Sequence, residues 1–297
     1  RKKISMFTNV IEEDVFSCHD AKSIFMIPQM LYEQGLVDVV FKKFGNVGFV
    51  NTSKNWDNWN MIVNSLQKTD DAIKIAMVGK YVTLADSYVS VNEALKHASA
   101  SIGKSVNIDW IDSETLNGNL KQLDNFDGVL VPGGFGTRGS EGIIDTATYA
   151  LEKNIPYLGI CFGFQLAAVA FGRKMCNLEN ANSTEIVADT KNPIIDLLPE
   201  QKDETDMGGS LRLGANEIKI NQDSLAHKIY SSDKIFKRHR HRYEFNTKYR
   251  EEFLKKGMIF SGESDDEKRM EILEVPTHKF FLGVQYHPEF NSRPGFP

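Results

Sequence analysis

The chain has 297 residues, 41% hydrophobic and 25% charged, the balance of a soluble globular protein with room for one large core, or one domain and an appendage. A net charge of −5 argues against a general nucleic-acid binder, and no apolar run approaches the roughly 20 residues of a membrane span. Three scattered cysteines, Cys18, Cys161 and Cys176, are too few for a disulfide framework or a cysteine-based zinc site, and a reducing cytoplasmic setting is expected.

Residues 1–45 open with a basic Arg1-Lys-Lys3 that no signal-peptide core follows, then a strand-like Ile4-Ser-Met-Phe7. The amphipathic run Ile24 to Gly35, closed by glycine, predicts a helix. This is too little to bury a core of its own. Residues 46–73 are polar around Asn51-Thr-Ser-Lys-Asn-Trp56 and Gln67-Lys-Thr-Asp-Asp71, and predict a linker crossed by one short helix. The compact domain is expected to span 74–297.

Within it, Lys74 to Gly79 predicts a strand, Ser87 to Ile102 a helix, Val106 to Asp112 a second strand, and Phe126 to Pro132 a third. Gly142 to Lys153 predicts a further helix, and Ile155 to Ile160 a strand. Strands alternating with helices imply an α/β fold with a mostly parallel sheet covered on both faces. Ser101-Ile-Gly-Lys-Ser105 is a helix C-cap and not a phosphate loop, because Ala98 stands where the first glycine belongs. After Arg173 short strands dominate, among them 217–220, 258–261, 271–275 and 280–286, which predicts a smaller antiparallel sheet.

Three stretches carry chemistry. In Gly159-Ile-Cys161-Phe-Gly163 a strand enters a tight turn with glycines on both sides of a cysteine, followed by a helix. This is the geometry of a nucleophile elbow, where a helix N-terminus favours a thiolate. The pentapeptide by itself also fits a small buried cysteine. Pro132-Gly-Gly-Phe-Gly136 follows the third strand, and an N–H from Gly134 with that of Phe162 could form a two-donor oxyanion hole, although a plain glycine-rich turn has the same sequence. In Gln285-Tyr-His-Pro-Glu-Phe290, His287 and Glu289 point to one side if the backbone stays extended, the pairing a catalytic imidazole needs.

Lys237 to Glu244 is the densest cationic run, open to three readings: a solvated face, a nucleic-acid patch, or a clamp for a small anion. In a strand, Arg238, Arg240 and Arg242 share a face, and an arginine fork suits a carboxylate. His239 and His241 have metal-ligand spacing, but no third ligand stands nearby.

Together these residues resemble the class I (triad-type) glutamine amidotransferases, a flavodoxin-like family in which nucleophile, oxyanion strand and His-Pro-Glu run are known elements. The likeness to the CTP synthase family extends along nearly the whole chain. It is carried by Asn180-Ala-Asn-Ser-Thr-Glu185, Arg238 to Glu244, His287 to Pro294 and Gly79-Lys-Tyr81. Ser23 to Pro28 and Glu33-Gln-Gly35 resemble the end of that family's synthetase domain and its linker helix.

The resemblance implies hydrolysis of L-glutamine to glutamate and ammonia through a thioester on Cys161, with His287 as acid and base and Glu289 orienting it. Gly134 and Phe162 would hold the oxyanion, and Gly134, Phe135, Gln165, Glu185 and Arg242 would bind glutamine. Gly208-Gly-Ser-Leu-Arg-Leu-Gly214 resembles a lid tied to activation by GTP, with Arg212 the candidate contact. Ammonia would serve ATP-dependent, Mg2+-requiring amination of UTP to CTP in a synthetase domain of the same polypeptide. That domain's phosphate loop and UTP site are not in this sequence, so no cofactor is expected here. The full enzyme would be a cytoplasmic homotetramer or filament, with neither nucleic acid nor membrane as partner. Phe162 and Phe164 replace the usual leucine and methionine, and Ser210-Leu211 the usual threonine and methionine, which bears on pocket size and lid response. The rival readings are the glutaminase of another amidotransferase, a peptidase, and a non-catalytic interaction module on the same fold.

Overall fold

The computed structural model describes residues 1–45, 53–67, 72–82, 85–116, 118–197, 211–264 and 268–297. The glycines and serine at 208–210 of the expected lid, and 46–52 and 68–71 of the expected linker, lie outside the described residues.

Strand β1 (Ile73–Gly79), β2 (Val106–Asp112), β3 (Gly128–Val131) and β4 (Tyr157–Ile160) form where the alternation of apolar runs and helices placed them. They are followed by β5 (Ala181–Ser183), β6 (Asn192–Asp196), β7 (Arg212–Ile220), β8 (Lys234–His241) and β9 (Glu244–Phe245). The last three are β10 (Ile259–Ser264), β11 (Met270–Glu274) and β12 (Phe281–Val284). Among the described residues, nine strands make one sheet in the order β2-β1-β3-β4-β12-β11-β10-β7-β8. The first five are mutually parallel, and the remaining pairings are antiparallel. The antiparallel strands thus mostly extend the main sheet. The separate small sheet, β5-β6-β9, has one parallel and one antiparallel pairing.

The central strands β3 and β12 are buried throughout, as expected for parallel strands covered on both faces. One face packs a cluster including Tyr157, Phe162, Phe164 and Phe171, the other a cluster including Met77, Tyr88, Cys161 and Tyr286. Helix α1 (Lys2–Thr8) covers Ile4–Phe7, where the sequence suggested a strand. No residue of α1 is buried, so no sheet face selects the extended form, and local helical hydrogen bonds satisfy the backbone instead. Beyond it lie α2 (Ile27–Glu33), α3 (Leu36–Phe44) and α4 (Ser53–Gln67), the last joined to the first segment where Trp59 Nε1 donates to the Phe25 carbonyl at 2.8 Å. Helices α5 (Val89–Ser101), α6 (Ser140–Lys153) and α7 (Phe162–Lys174) are those the sequence placed between strands. Among the described residues no helix is long and apolar enough to cross a membrane.

The order β3-β4-β12 decides where chemistry gathers. These neighbours run parallel, with Val131 beside Gly159 and Ile160 beside Val284. The Gly-Gly loop, the cysteine turn and the histidine run therefore leave the sheet at the same edge, from three adjacent strands.

Candidate active site

Cys161 caps α7 with φ 52° and ψ −98°, a conformation that costs a non-glycine residue on the order of 1–3 kcal/mol. Its neighbours must be glycines. A Cβ on Gly159 would lie 2.6 Å from the Gly163 carbonyl, and one on Gly163 would lie 2.4 Å from the Val131 oxygen, both immovable backbone. The turn is held by the Cys161 N–H, which donates to Val284 O at 2.7 Å. The cysteine is 4% exposed, yet it lines a cleft of about 510 Å³ together with Tyr81, Gly134, Phe135, Arg240 and His287.

His287 shares the cleft with Cys161, whose side chain acts on the imidazole, and meets Glu289 through Nδ1 to Oε1 at 2.7 Å. His287 and Glu289 do not lie on extended backbone. Pro288–Asn291 forms a 3₁₀ turn, and it is this turn that brings the carboxylate back to the ring. Burial pulls the His287 pKa down, but the hydrogen bonds to Cys161 and Glu289 and the charges on both outweigh it and hold the imidazole up at about 10. The ring stacks on Phe290 with centroids 5.2 Å apart and presses so near the Gly-Gly loop that a Cβ on Gly133 would lie 2.8 Å from its Cε1.

Behind the sulfur, Gln285 Nε2 donates to Cys161 Sγ at 3.8 Å, and Gln165 Nε2 donates to Gln285 Oε1 at 3.3 Å and to Tyr243 O at 2.9 Å. Gln165 is thus one side chain removed from the Cys161 sulfur. Gly134 packs against the Phe162 ring, where a Cβ on the glycine would lie 3.5 Å from Cδ1. Phe135 is 68% exposed at the cleft and faces Tyr81.

Glu185 and Arg242 come together through the small sheet. Glu185 follows β5, Arg242 precedes β9, and both strands flank β6 so that the two residues leave at its same end. Their charges both act on Tyr243. Neither lines the cleft at Cys161, where the arginine is Arg240. The alternation of 238, 240 and 242 breaks because β8 ends at His241: Arg238 and Arg240 share the exposed face, and Arg242 lies past the strand.

Arg212 turns inward. Its guanidinium pairs with Glu271, whose other oxygen meets His239 Nε2 at 2.8 Å, and all three side chains are 12% exposed or less. His241, beside them, is pushed well below the usual histidine range by burial, then by the His239 ring and Arg212, and holds no charge in this interior. Among the described residues no group of three or more His, Cys, Asp or Glu could hold a metal ion.

Two contributors escaped the sequence. Gln285 sits in an apolar strand end where nothing but its polarity marks it. Lys80, 4% exposed, donates to the carbonyls of Phe135 at 2.8 Å and Gly136 at 2.5 Å. The sequence marked it only as part of Gly79-Lys-Tyr81, one of the stretches that carry the family resemblance, with no role attached.

Residues 83–296 match the family described as glutamine amidotransferase class-I, and residues 1–46 match the one described as CTP synthase N-terminus. The whole chain is 47% identical to the CTP synthase of Pyrococcus abyssi and 46% identical to that of Staphylococcus haemolyticus. It spans about half the length of these curated relatives, 55% and 56% respectively. Among solved structures, the glutaminase domain of Trypanosoma brucei CTPS with bound acivicin superposes with a TM-score of 0.72 at 37% identity, over 76% of this chain and 89% of that one. The chain belongs to the class I glutamine amidotransferase family, and within it to the CTP synthases.

Proposed function

We propose that the chain hydrolyses L-glutamine to glutamate and ammonia, with Cys161 as nucleophile and His287 and Glu289 as its acid–base pair. The observation that carries this is the contact of His287 with Cys161 on one side and Glu289 on the other, at a strained turn that opens on a cleft.

The Cys161 sulfur attacks the carboxamide carbon, and the electron pair of the carbonyl moves to an oxyanion between the N–H groups of Gly134 and Phe162. As the C–N bond breaks, the imidazolium of His287 gives its proton to the departing nitrogen and ammonia leaves. The same environment then changes the role of the ring. Part of what lifts the His287 pKa is the hydrogen bond and charge of Cys161. An acylated sulfur supplies neither, while burial still opposes the charged form, so the neutral ring is favoured and takes a proton from water attacking the thioester. Glutamate and the free sulfur result.

Phe135, Gln165, Glu185 and Arg242 are proposed to bind glutamine, Glu185 its α-ammonium and Arg242 its α-carboxylate. In the longer protein the ammonia would serve ATP-dependent amination of UTP to CTP in the synthetase half, and ATP and Mg2+ would belong there. For GTP, the Arg212 guanidinium is committed to Glu271, so it fits a nucleotide contact only after release from that pair. We propose a division into 1–45 as synthetase tail, 46–73 as linker and 74–297 as glutaminase. Ammonia release from glutamine by the chain and by Cys161→Ala tests the reading. Release by the native chain and none by a folded variant supports it, and equal release by both refutes it.

A further inference from the structure

The peptide unit between Phe135 and Gly136 is gripped at both ends by opposite charges. Its carbonyl accepts from Lys80 Nζ at 2.8 Å, and its N–H donates to Glu185 Oε1 at 2.7 Å. Lys80 also takes the next carbonyl, Gly136 O, at 2.5 Å, and lies 4.2 Å from the centroid of the Phe162 ring. One buried ammonium therefore touches both segments from which the oxyanion donors come, the loop carrying Gly134 and the start of the cysteine helix α7.

We propose that Lys80 and Glu185 act as a clamp on the Phe135–Gly136 peptide, making Lys80 a positioning residue that fixes the oxyanion strand for catalysis. The proposal rests on the glutaminase reading and deepens it.

The topology explains the reach. Lys80 directly follows β1, which pairs with β3, so it stands at the same sheet edge as the loop that β3 feeds. A flip of this peptide would point its carbonyl at a carboxylate and its N–H at an ammonium, exchanging two charge-assisted hydrogen bonds for two repulsions. Nothing in the loop itself supplies such resistance, since glycines at 133, 134 and 136 leave the backbone free to turn. The lysine is kept there against solvation. Burial pushes its pKa down to about 8, opposed by Glu185 and Glu114 and assisted by Arg138, with the Tyr88 phenol also packed against its backbone. A side chain present only to fill space needs no charge. Lys80 is further fixed through its carbonyl, which accepts from Arg138 Nη2 at 2.9 Å, while Arg138 pairs with Glu114 at 3.2 Å. If Glu185 also receives the α-ammonium of glutamine, as proposed above, its second oxygen is the one to do so, and substrate then tightens the clamp.

The test is Lys80→Met in the 297-residue chain, with two readouts. For glutamine hydrolysis, kcat falls by about 10²-fold or more while KM moves less than about threefold, the signature of an interaction made chiefly in the transition state. Alkylation of Cys161 by iodoacetamide, a reaction with no oxyanion, keeps its rate within about threefold, because the sulfur and His287 are untouched. A kcat within threefold of native overturns the clamp, and so does a parallel loss of hydrolysis and alkylation, which would mean general collapse of the site. Hydrogen exchange in the native protein decides the matter if the variant does not fold. A slow Gly136 amide supports the clamp, and exchange at the rate of an open loop overturns it. A native chain that releases no ammonia sinks the glutaminase reading, and the exchange measurement still judges the clamp.

Discussion

Replacing Glu289 by glutamine removes one of the two partners that raise the His287 pKa. The lift of this imidazole from 6.5 to about 10 corresponds to about 5 kcal/mol in favour of the charged ring. The hydrogen bond with Cys161 is the largest of the causes that raise it, and the hydrogen bond and charge of Glu289, whose Oε1 lies 2.7 Å from Nδ1, add to it against burial. The amide keeps an acceptor oxygen near Nδ1 but no charge. The ring is then left with Cys161 as its remaining support, and its pKa falls well below 10. The expected result is a drop in kcat of about 10²-fold or more with KM changed less than about threefold, since the lost interaction is with the proposed acid–base group. Steady-state ammonia release gives the kinetic constants, and a nitrogen-detected NMR titration of the imidazole gives the pKa. A variant that keeps kcat within threefold, or a His287 still protonated at pH 10, would refute the reasoning.

Further outcomes follow from the same geometry. Gly159→Ala forces a Cβ to within 2.6 Å of backbone, so it should cost at least about 3 kcal/mol in urea denaturation, and a loss below 1 kcal/mol contradicts the tight-turn argument. Glu271→Leu takes the carboxylate from His239 and leaves Arg212 with Glu244 at 3.9 Å, and should destabilise by about 3–5 kcal/mol, again read by denaturation, with an unchanged midpoint as the contrary result. Because the folded His287 pKa is raised, its stabilising contribution is complete below about pH 6.5 and is lost as pH rises through about 10. The stability difference between the native chain and His287→Gln should therefore shrink between pH 7 and about 10, and a difference that grows over that window reverses the sign of the argument. Arg242→Ala should chiefly raise KM for glutamine, and an effect confined to thermal stability would make the arginine structural.

How much of this was legible beforehand follows from where the information sits. The cysteine turn is local, since the glycines that the backbone demands at 159 and 163 stand within two residues of Cys161. The Gly-Gly loop and His287 were equally visible because each ends an apolar strand run, and parallel neighbours put such ends together. What stayed hidden depends on contacts between distant segments. Lys80 acquires its grip on Phe135 and Gly136 only when β1 pairs with β3. The inward turn of Arg212 needs Glu271 from a strand some sixty residues on. Alternation through Arg238, Arg240 and Arg242 assumed that the strand continued, and its end at His241 divides them. His287 and Glu289 are together through a 3₁₀ turn instead of the extended backbone the spacing suggested.

The measurement that bears most directly on the central claim is the mass of the protein after incubation with a glutamine-derived electrophile, with the modified residue mapped by peptide sequencing. The account predicts one adduct per chain, on Cys161, whose formation L-glutamine slows. An adduct on another residue, or none while ammonia is still released from glutamine, would contradict it.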